Sequence, residues 1–412
     1  MPISGARHAL RGHFARGFLG GLLLLGAVTP AQAQLFDLSP FAVLEAIYDD
    51  NVFRAENAAD LSAQSPDGST RMGDGIGIAT VGLTGEFEPG LQSMNLTGLV
   101  QRFQYHELEQ LNHTAYEVDG RWNWQWGRRF DGLVQASADR AQDDFRYRDS
   151  AEQSFTLNRR YELAGAYHLS SIWHVELSSV FTSRSGSDPA NAAFDLDEYA
   201  FDLAGFYRRD PVGQLGLALT YRDGEYPHRD ATTGAGLATA YDQYTGELRA
   251  RWTPSAISSF DGAIGVTRRE QTPFSDRDFS GVTGRLNYRR DISGRTRVSL
   301  NAFRRVWSTE RVDANFATDS GIGSSIEWRW SVKTQFLLEG EWRAIRYESE
   351  AGTATGVPAQ KDDLRSGQLT MIWQPLERLG VRLSGEREIR DSNVAGDSYA
   401  VWVSRLVVRI GF

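Results

Sequence analysis

Tyr116-Glu117-Val118-Asp119-Gly120-Arg121-Trp122-Asn123-Trp124-Gln125-Trp126 reads as two interleaved rows. One row is Tyr116, Val118, Gly120, Trp122, Trp124 and Trp126; the other is Glu117, Asp119, Arg121, Asn123 and Gln125. Successive side chains of an extended strand point to opposite faces, so this segment makes one apolar and one polar face. A strand with faces so fully separated predicts a wall between oil and water.

The same division recurs on both sides of this segment. Tyr161, Leu163, Gly165, Tyr167 and Leu169 oppose Arg160, Glu162 and His168. Tyr244, Gly246, Leu248, Ala250 and Trp252 oppose Gln243, Thr245, Glu247, Arg249 and Arg251. Val282, Gly284, Leu286 and Tyr288 oppose Thr283, Arg285, Asn287 and Arg289; Phe336, Leu338, Gly340 and Trp342 oppose Gln335, Glu339, Glu341 and Arg343. The chain ends on Ser404, Leu406, Val408, Ile410 and Phe412 against Arg405 and Arg409.

A soluble sandwich also alternates, but its strands are usually about 5–6 residues long. These segments run about 9–13 residues, the length a tilted strand needs to cross a bilayer. Trp122, Trp124, Trp126, Trp173, Trp252, Trp328, Trp330 and Trp373 sit at segment ends, where an aromatic girdle meets the headgroups.

Connections alternate in length. Short links fall near 89–90, 127–129, 170–172, 210–213, 253–255, 291–294, 331–333 and 374–377. Longer polar links occupy 54–74, 107–114, 143–153, 185–196, 223–240, 269–277, 309–319, 348–363 and 390–397. Eight short turns and nine long loops predict an all-β, transmembrane, antiparallel up-and-down barrel of about 18 strands, with sixteen as the alternative count. The weakest strands are the first three, near 41–52, 76–87 and 91–105. Short turns belong on the periplasmic side, which puts both termini there and the long loops outside the cell.

Targeting and composition agree with this reading. Arg7, Arg11 and Arg16 precede an apolar run over 18–28, and Ala31-Gln32-Ala33 is a small-x-small cleavage site. The run is too short for a membrane-spanning helix of about 20 residues. Residues 1–33 are therefore expected to be a signal peptide and 34–412 the outer-membrane barrel domain. There are 41 glycines, 12 prolines, 11% aromatic residues and no cysteine. No disulfide framework or thiolate metal site is available. The net charge of −9 argues against nucleic acid as a partner.

Phe412, a terminal aromatic after alternating apolar residues, resembles the signal read by barrel-assembly machinery, so that machinery and outer-membrane lipid are expected partners. The opening run Tyr48-Asp49-Asp50-Asn51-Val52-Phe53-Arg54 resembles the start of EpsL-type proteins, outer-membrane barrels encoded with exopolysaccharide biosynthesis genes. The resemblance implies export of a polysaccharide chain with help from periplasmic polysaccharide-export proteins. Read from the residues alone, Asp49-Asp50-Asn51 is a turn-prone cluster at a strand end, and Arg54 is placed to pair with either carboxylate.

The polar rows are expected to line the lumen. Their arginines are Arg121, Arg160, Arg249, Arg251, Arg285, Arg289, Arg297, Arg343, Arg405 and Arg409; their acids include Glu117, Asp119, Glu247, Glu339 and Glu341. Arginine rings favour anions, whereas cross-strand Arg–carboxylate pairs brace a wall; bracing is the stronger expectation. No catalytic constellation is spelled out. His168 and His174 flank a turn holding Ser170 and Ser171, and histidines there are expected to be solvated surface groups. Asp223, Glu225, His228 and Asp230 form a small oxygen-and-imidazole cluster, expected to be a flexible acidic loop. No phosphate-binding or dinucleotide motif appears, and no cofactor or metal is expected. The leading expectation is a pore or scaffold for exopolysaccharide export without chemistry of its own. General diffusion of small hydrophilic solutes is the alternative, and an outer-membrane enzyme the third.

Overall fold

The computed structural model describes residues 36–411 except 66–67, 148–149, 211, 230–236, 309–313 and 350–358. The expected signal peptide and Phe412 lie outside the described residues. The described chain forms eighteen strands. The first six are β1 (Phe36–Asp49), β2 (Asp74–Phe87), β3 (Ser93–Tyr105), β4 (His113–Trp126), β5 (Phe130–Gln142) and β6 (Phe155–His168). Next come β7 (Trp173–Gly186), β8 (Leu196–Asp210), β9 (Gly213–Glu225), β10 (Ala240–Ser255), β11 (Ser258–Thr272) and β12 (Phe279–Asp291). The last are β13 (Thr296–Trp307), β14 (Ala314–Arg329), β15 (Thr334–Ser349), β16 (Lys361–Leu376), β17 (Leu379–Ser392) and β18 (Tyr399–Gly411).

Each strand pairs antiparallel with the next, and β1 closes the cylinder on β18 from Phe41↔Gly411 to Asp49↔Val403. The three weakly patterned N-terminal strands all form, and the closed count is 18 rather than sixteen. The first strand starts earlier than its pattern suggested, at Phe36, and includes Pro40. Pro40 pairs with Leu83 of β2 and lies one residue beyond the last β18 partner. A missing N–H at such an edge costs no ladder bond.

Closure leaves no unpaired sheet edge, the condition for a β structure to span hydrocarbon. The outward row is mainly apolar: Leu44, Leu96, Val118, Leu163, Leu217, Val282, Leu338 and Leu406 are all exposed. No helix among the described residues is long and apolar enough to cross a membrane; the strands do the crossing. Exposed tryptophans Trp126, Trp173, Trp252, Trp328 and Trp373 gather at the short-turn end. Exposed Tyr48, Tyr116, Tyr199 and Tyr244 gather toward the long-loop end. From Tyr116 to Trp126 the rise is about 33 Å along the strand. A tilt of about 40° reduces this to roughly 25 Å along the membrane normal, the height of an outer-membrane barrel's apolar band. The molecule is an outer-membrane β-barrel.

Leu217, 72% exposed near the middle of β9, tests this placement. Leu217→Arg is expected to destabilise the barrel by roughly 2–4 kcal/mol in urea titrations of protein folded into lipid vesicles, because the charge enters the bilayer core. An effect within about 0.5 kcal/mol, as for an ordinary surface site, would remove Leu217 from lipid.

Candidate functional site

On β4, Glu117, Asp119 and Arg121 alternate with exposed Tyr116, Val118 and Trp122, so they point to the inside of the cylinder. Gln135 donates to Asp119 at 2.7 Å, and Arg121 Nε donates to Asn123 Oδ1 at 3.1 Å. Arg160 pairs with Glu162 on its own strand at 2.8 Å. Arg249 donates to both oxygens of Asp202, at 2.8 and 2.5 Å, and also meets Glu247 at 2.5 Å. Arg285 lies 3.8 Å from Glu247 and 3.9 Å from Asp261, which also pairs with Arg251 at 3.2 Å. Arg297 pairs with Asp291 at 2.6 Å and Arg405 with Glu45 at 3.1 Å.

Arg343 and Arg305 share the fully buried Asp319, at 2.8 and 2.7 Å. Glu339 and Glu341 sit on the inner face of β15, between exposed Leu338 and Trp342. Arg289 and Arg409 lie near the short-turn end with no carboxylate within 4 Å among the described residues; Arg409 lies 4.9 Å from the Phe41 ring centre. Most of the inner arginine charge is therefore neutralised by a neighbour, which braces the wall more than it attracts anions.

The Tyr48–Arg54 run turns the chain from wall to lumen. Tyr48 faces outward, whereas Asp49 points inward and receives both Arg54 Nη atoms, at 3.0 and 2.9 Å. Arg54 thus chooses Asp49 over Asp50. Burial alone would push the Arg54 guanidinium down, but the Asp49 carboxylate outweighs it and holds the group above its ordinary value. Asp50 instead ties the wall: its carboxylate accepts from Trp402 N at 2.7 Å and its N–H donates to Trp402 O at 3.2 Å. Buried Asn51 closes the turn with its amide, accepting from Ala55 N at 3.0 Å and donating to Ala55 O at 2.8 Å. Arg54 adopts φ 58°, a left-handed backbone a non-glycine residue holds only when its surroundings fix it.

Beyond this turn, loop 50–73 carries a short helix, α1 (Ala58–Gln64), capped by Asn57, whose side chain accepts from Ala59 N and Asp60 N. Its Leu61, with Val52, Phe53 and Ala55, packs against Leu108 and Leu111 of loop 106–112 and Phe145 and Ala151 of loop 143–154. Phe53 meets Phe145 edge to face at 4.9 Å. A small apolar core has thus been built from three loops, with Met72 and, at the end of β3, Tyr105 packed against it.

Loop 143–154 leaves from β5, six strand steps from β17 around the closed sheet. Yet Arg146 Nη1 reaches Glu388 of β17 at 3.0 Å, and Arg390 of β17 donates to the Arg146 carbonyl. Tyr399 holds the other Glu388 oxygen at 2.6 Å. Glu388 and Arg390 lie on the inner face, so this contact spans a chord of the mouth, a third of the way around the ring. The loop is a strut across the long-loop mouth. Arg390 is itself anchored to Asp362 at 2.6 Å, with 4% and 0% of the two side chains exposed.

At the opposite end, His168 and His174 come together, ring centres 5.5 Å apart. His168 pairs with Asp131 at 2.6 Å and His174 with Glu176 at 3.4 Å. His174 is buried and stacked on Phe206, not the solvated group expected from the sequence, because its strand position points inward. Ser170 Oγ accepts from Ile172 N and Trp173 N, so it serves the turn. His228 pairs with Asp195 at 3.0 Å, and Asp230 lies outside the described residues. Among the described residues no group of three or more such side chains is placed to hold a metal ion.

Sequence reading missed Glu45, Arg146, Asp319, Asp362, Glu388 and Arg390 as mouth and wall residues. The inward parity of the strand residues was readable, but their partners were not: Asp319 is covered by Arg305 and Arg343 of neighbouring strands, and Glu388 and Arg390 by Arg146 from a distant loop.

No protein-family model and no curated protein sequence matches the chain. Among solved structures, the outer membrane protein OpdK from Pseudomonas aeruginosa is similar at 13% identity and a TM-score of 0.47, over 91% of this chain and 98% of that one. OccAB3 from Acinetobacter baumannii gives 10% identity and 0.46, over 91% and 99%. The siderophore receptor PirA from Pseudomonas aeruginosa gives 9% and 0.43, over 90% and 80%.

Arg390→Ala would leave Asp362 charged and dry. It is expected to cost about 3–5 kcal/mol in urea unfolding, as for other broken buried pairs. Arg390→Met with Asp362→Leu, which removes both charges, is expected to regain most of that loss.

Proposed function

We propose that the chain is a passive outer-membrane channel for small hydrophilic solutes, narrowed at its long-loop mouth. The observation that carries this reading is the contact of Arg146 with Glu388 and Arg390 across a chord of the mouth. A barrel of 16–18 strands is wide enough for an aqueous channel. Three loops packed together and strutted to β17 reduce that opening toward the size of single solutes. The charged and polar side chains of the inner wall give such solutes partners along the path. The channel performs no chemistry of its own. The short-turn end, with both termini, faces the periplasm, following the usual polarity of bacterial barrels.

Export of a secreted polysaccharide is the second reading, supported by the resemblance of Tyr48–Arg54 to EpsL-type proteins. The inward-folded loops weigh against it as the main role, since a bulky chain would need the strut displaced.

Purified protein in planar bilayers is expected to show steady single-channel conductance. Arg146→Ala is expected to raise it severalfold, because the strut loses its hold on β17. In vesicle-swelling assays, monosaccharides are expected to enter faster than oligosaccharides. A protein that conducts nothing, with or without the strut, would end the channel reading; loss of secreted polymer in a deletion strain with solute uptake intact would favour the second.

A further inference from the structure

The opposite side of the mouth holds an electrostatic imbalance. Arg268 and Glu270 of β11 face outward and pair with each other at 2.8 Å, so Arg269 and Gln271 face inward. Arg269 is 1% exposed. Its guanidinium lies 3.4 Å from the centre of the Tyr241 ring, and its Nη2 donates to Ser308 Oγ at 3.0 Å. The Tyr241 ring itself lies flat on Gly224, where any Cβ would come within 2.3 Å of it. From loop 226–239, Arg229 adds a second guanidinium, 3.5 Å from the centre of the Tyr226 ring. The two tyrosine rings are 6.2 Å apart.

Neither arginine pairs with a carboxylate among the described residues. The nearby acids are already engaged: Glu198 by Arg222 at 2.6 Å and by the Tyr241 hydroxyl, Asp195 by His228 and by Gly186 N. Arg229 spends two donors on carbonyls, those of Ala193 and Ala238. That leaves Arg229 Nη2, Arg269 Nε, the Tyr226 hydroxyl and both amide atoms of Gln271 buried without a hydrogen-bond partner. Burial drives the Arg229 guanidinium below its ordinary value against the opposing pull of the adjacent Tyr226 phenol, and repulsion from Arg184 and Arg269 adds to the fall. Buried charges in proteins are otherwise paired, and unfilled donors of this kind are costly.

We propose that Arg229 and Arg269, with Gln271 and Tyr226, form a binding site for an oxyanion group, the carboxylate or the sulfate- or phosphate-type head of a solute entering the mouth. An oxyanion supplies the missing negative charge and acceptors for guanidinium N–H groups, the phenol and the amide NH2. Planar guanidinium forks suit such groups better than a monatomic ion. This goes beyond passive diffusion by assigning a place where an anionic solute pauses, and binding is measurable whether or not the barrel conducts.

Isothermal titration of the detergent-solubilised full-length mature barrel with sodium sulfate, and separately with sodium acetate, tests it. Saturable binding near one equivalent is expected for at least one of the two; the tighter identifies the head group preferred. Arg229→Gln lies outside the strands and is expected to weaken binding about tenfold or more, the scale of one charge-assisted hydrogen bond. Arg269→Gln is expected to do the same, with heat-modifiable migration on gels confirming a folded barrel; Gln271→Leu serves if that variant does not fold. Absence of saturable binding by both anions, or wild-type affinity in Arg229→Gln, overturns the site.

Discussion

In hydrocarbon no water is available to a peptide N–H or C=O, and each group left without a partner costs several kcal/mol. A sheet can enter that environment only by losing its edges. The seam between β1 and β18, nine residue pairs long, is where this chain meets the requirement. Everything else follows from it. With the seam closed, strand alternation sorts side chains into a lipid row and an inner row, and the girdles of tryptophan and tyrosine fix how deep the cylinder sits.

The inner row then faces a problem of its own. Water wets it, but crowding by inward loops takes some charges out of water. Arg249, Asp202 and Glu247, or Arg343, Arg305 and Asp319, solve this by sharing: each buried charge meets an opposite one on its own strand, the next or the one beyond. Such pairs contribute modestly to stability when exposed and matter chiefly because removing one partner strands the other. The Arg229–Arg269 side of the mouth departs from this pattern, and the departure is what singles it out.

The wall was legible in the sequence because its physics is local. A period of two over residues 116–126 announces a strand with an oily side regardless of what lies elsewhere, and link lengths announce which end is which. Asp49 and Arg54 were readable as partners, being five residues apart. The strut was not legible. Arg146 and Glu388 are separated by 242 residues, and nothing in the run around Arg146 says that its loop turns inward rather than out. Loop-on-loop packing of Phe53, Leu61, Leu111 and Phe145 has no periodicity to betray it. His174 shows the intermediate case: its proximity to His168 was expected, while its burial depended on Phe206 from a neighbouring strand.

The bonds between Asp50 and Trp402 couple the closing of the sheet to the placing of a loop. They extend the seam one step past its last strand pair, joining the root of the first inward loop to the final strand made. That loop is fastened at its root only where the two ends of the sheet meet. Whatever parts the first strand from the last also frees the root of that loop.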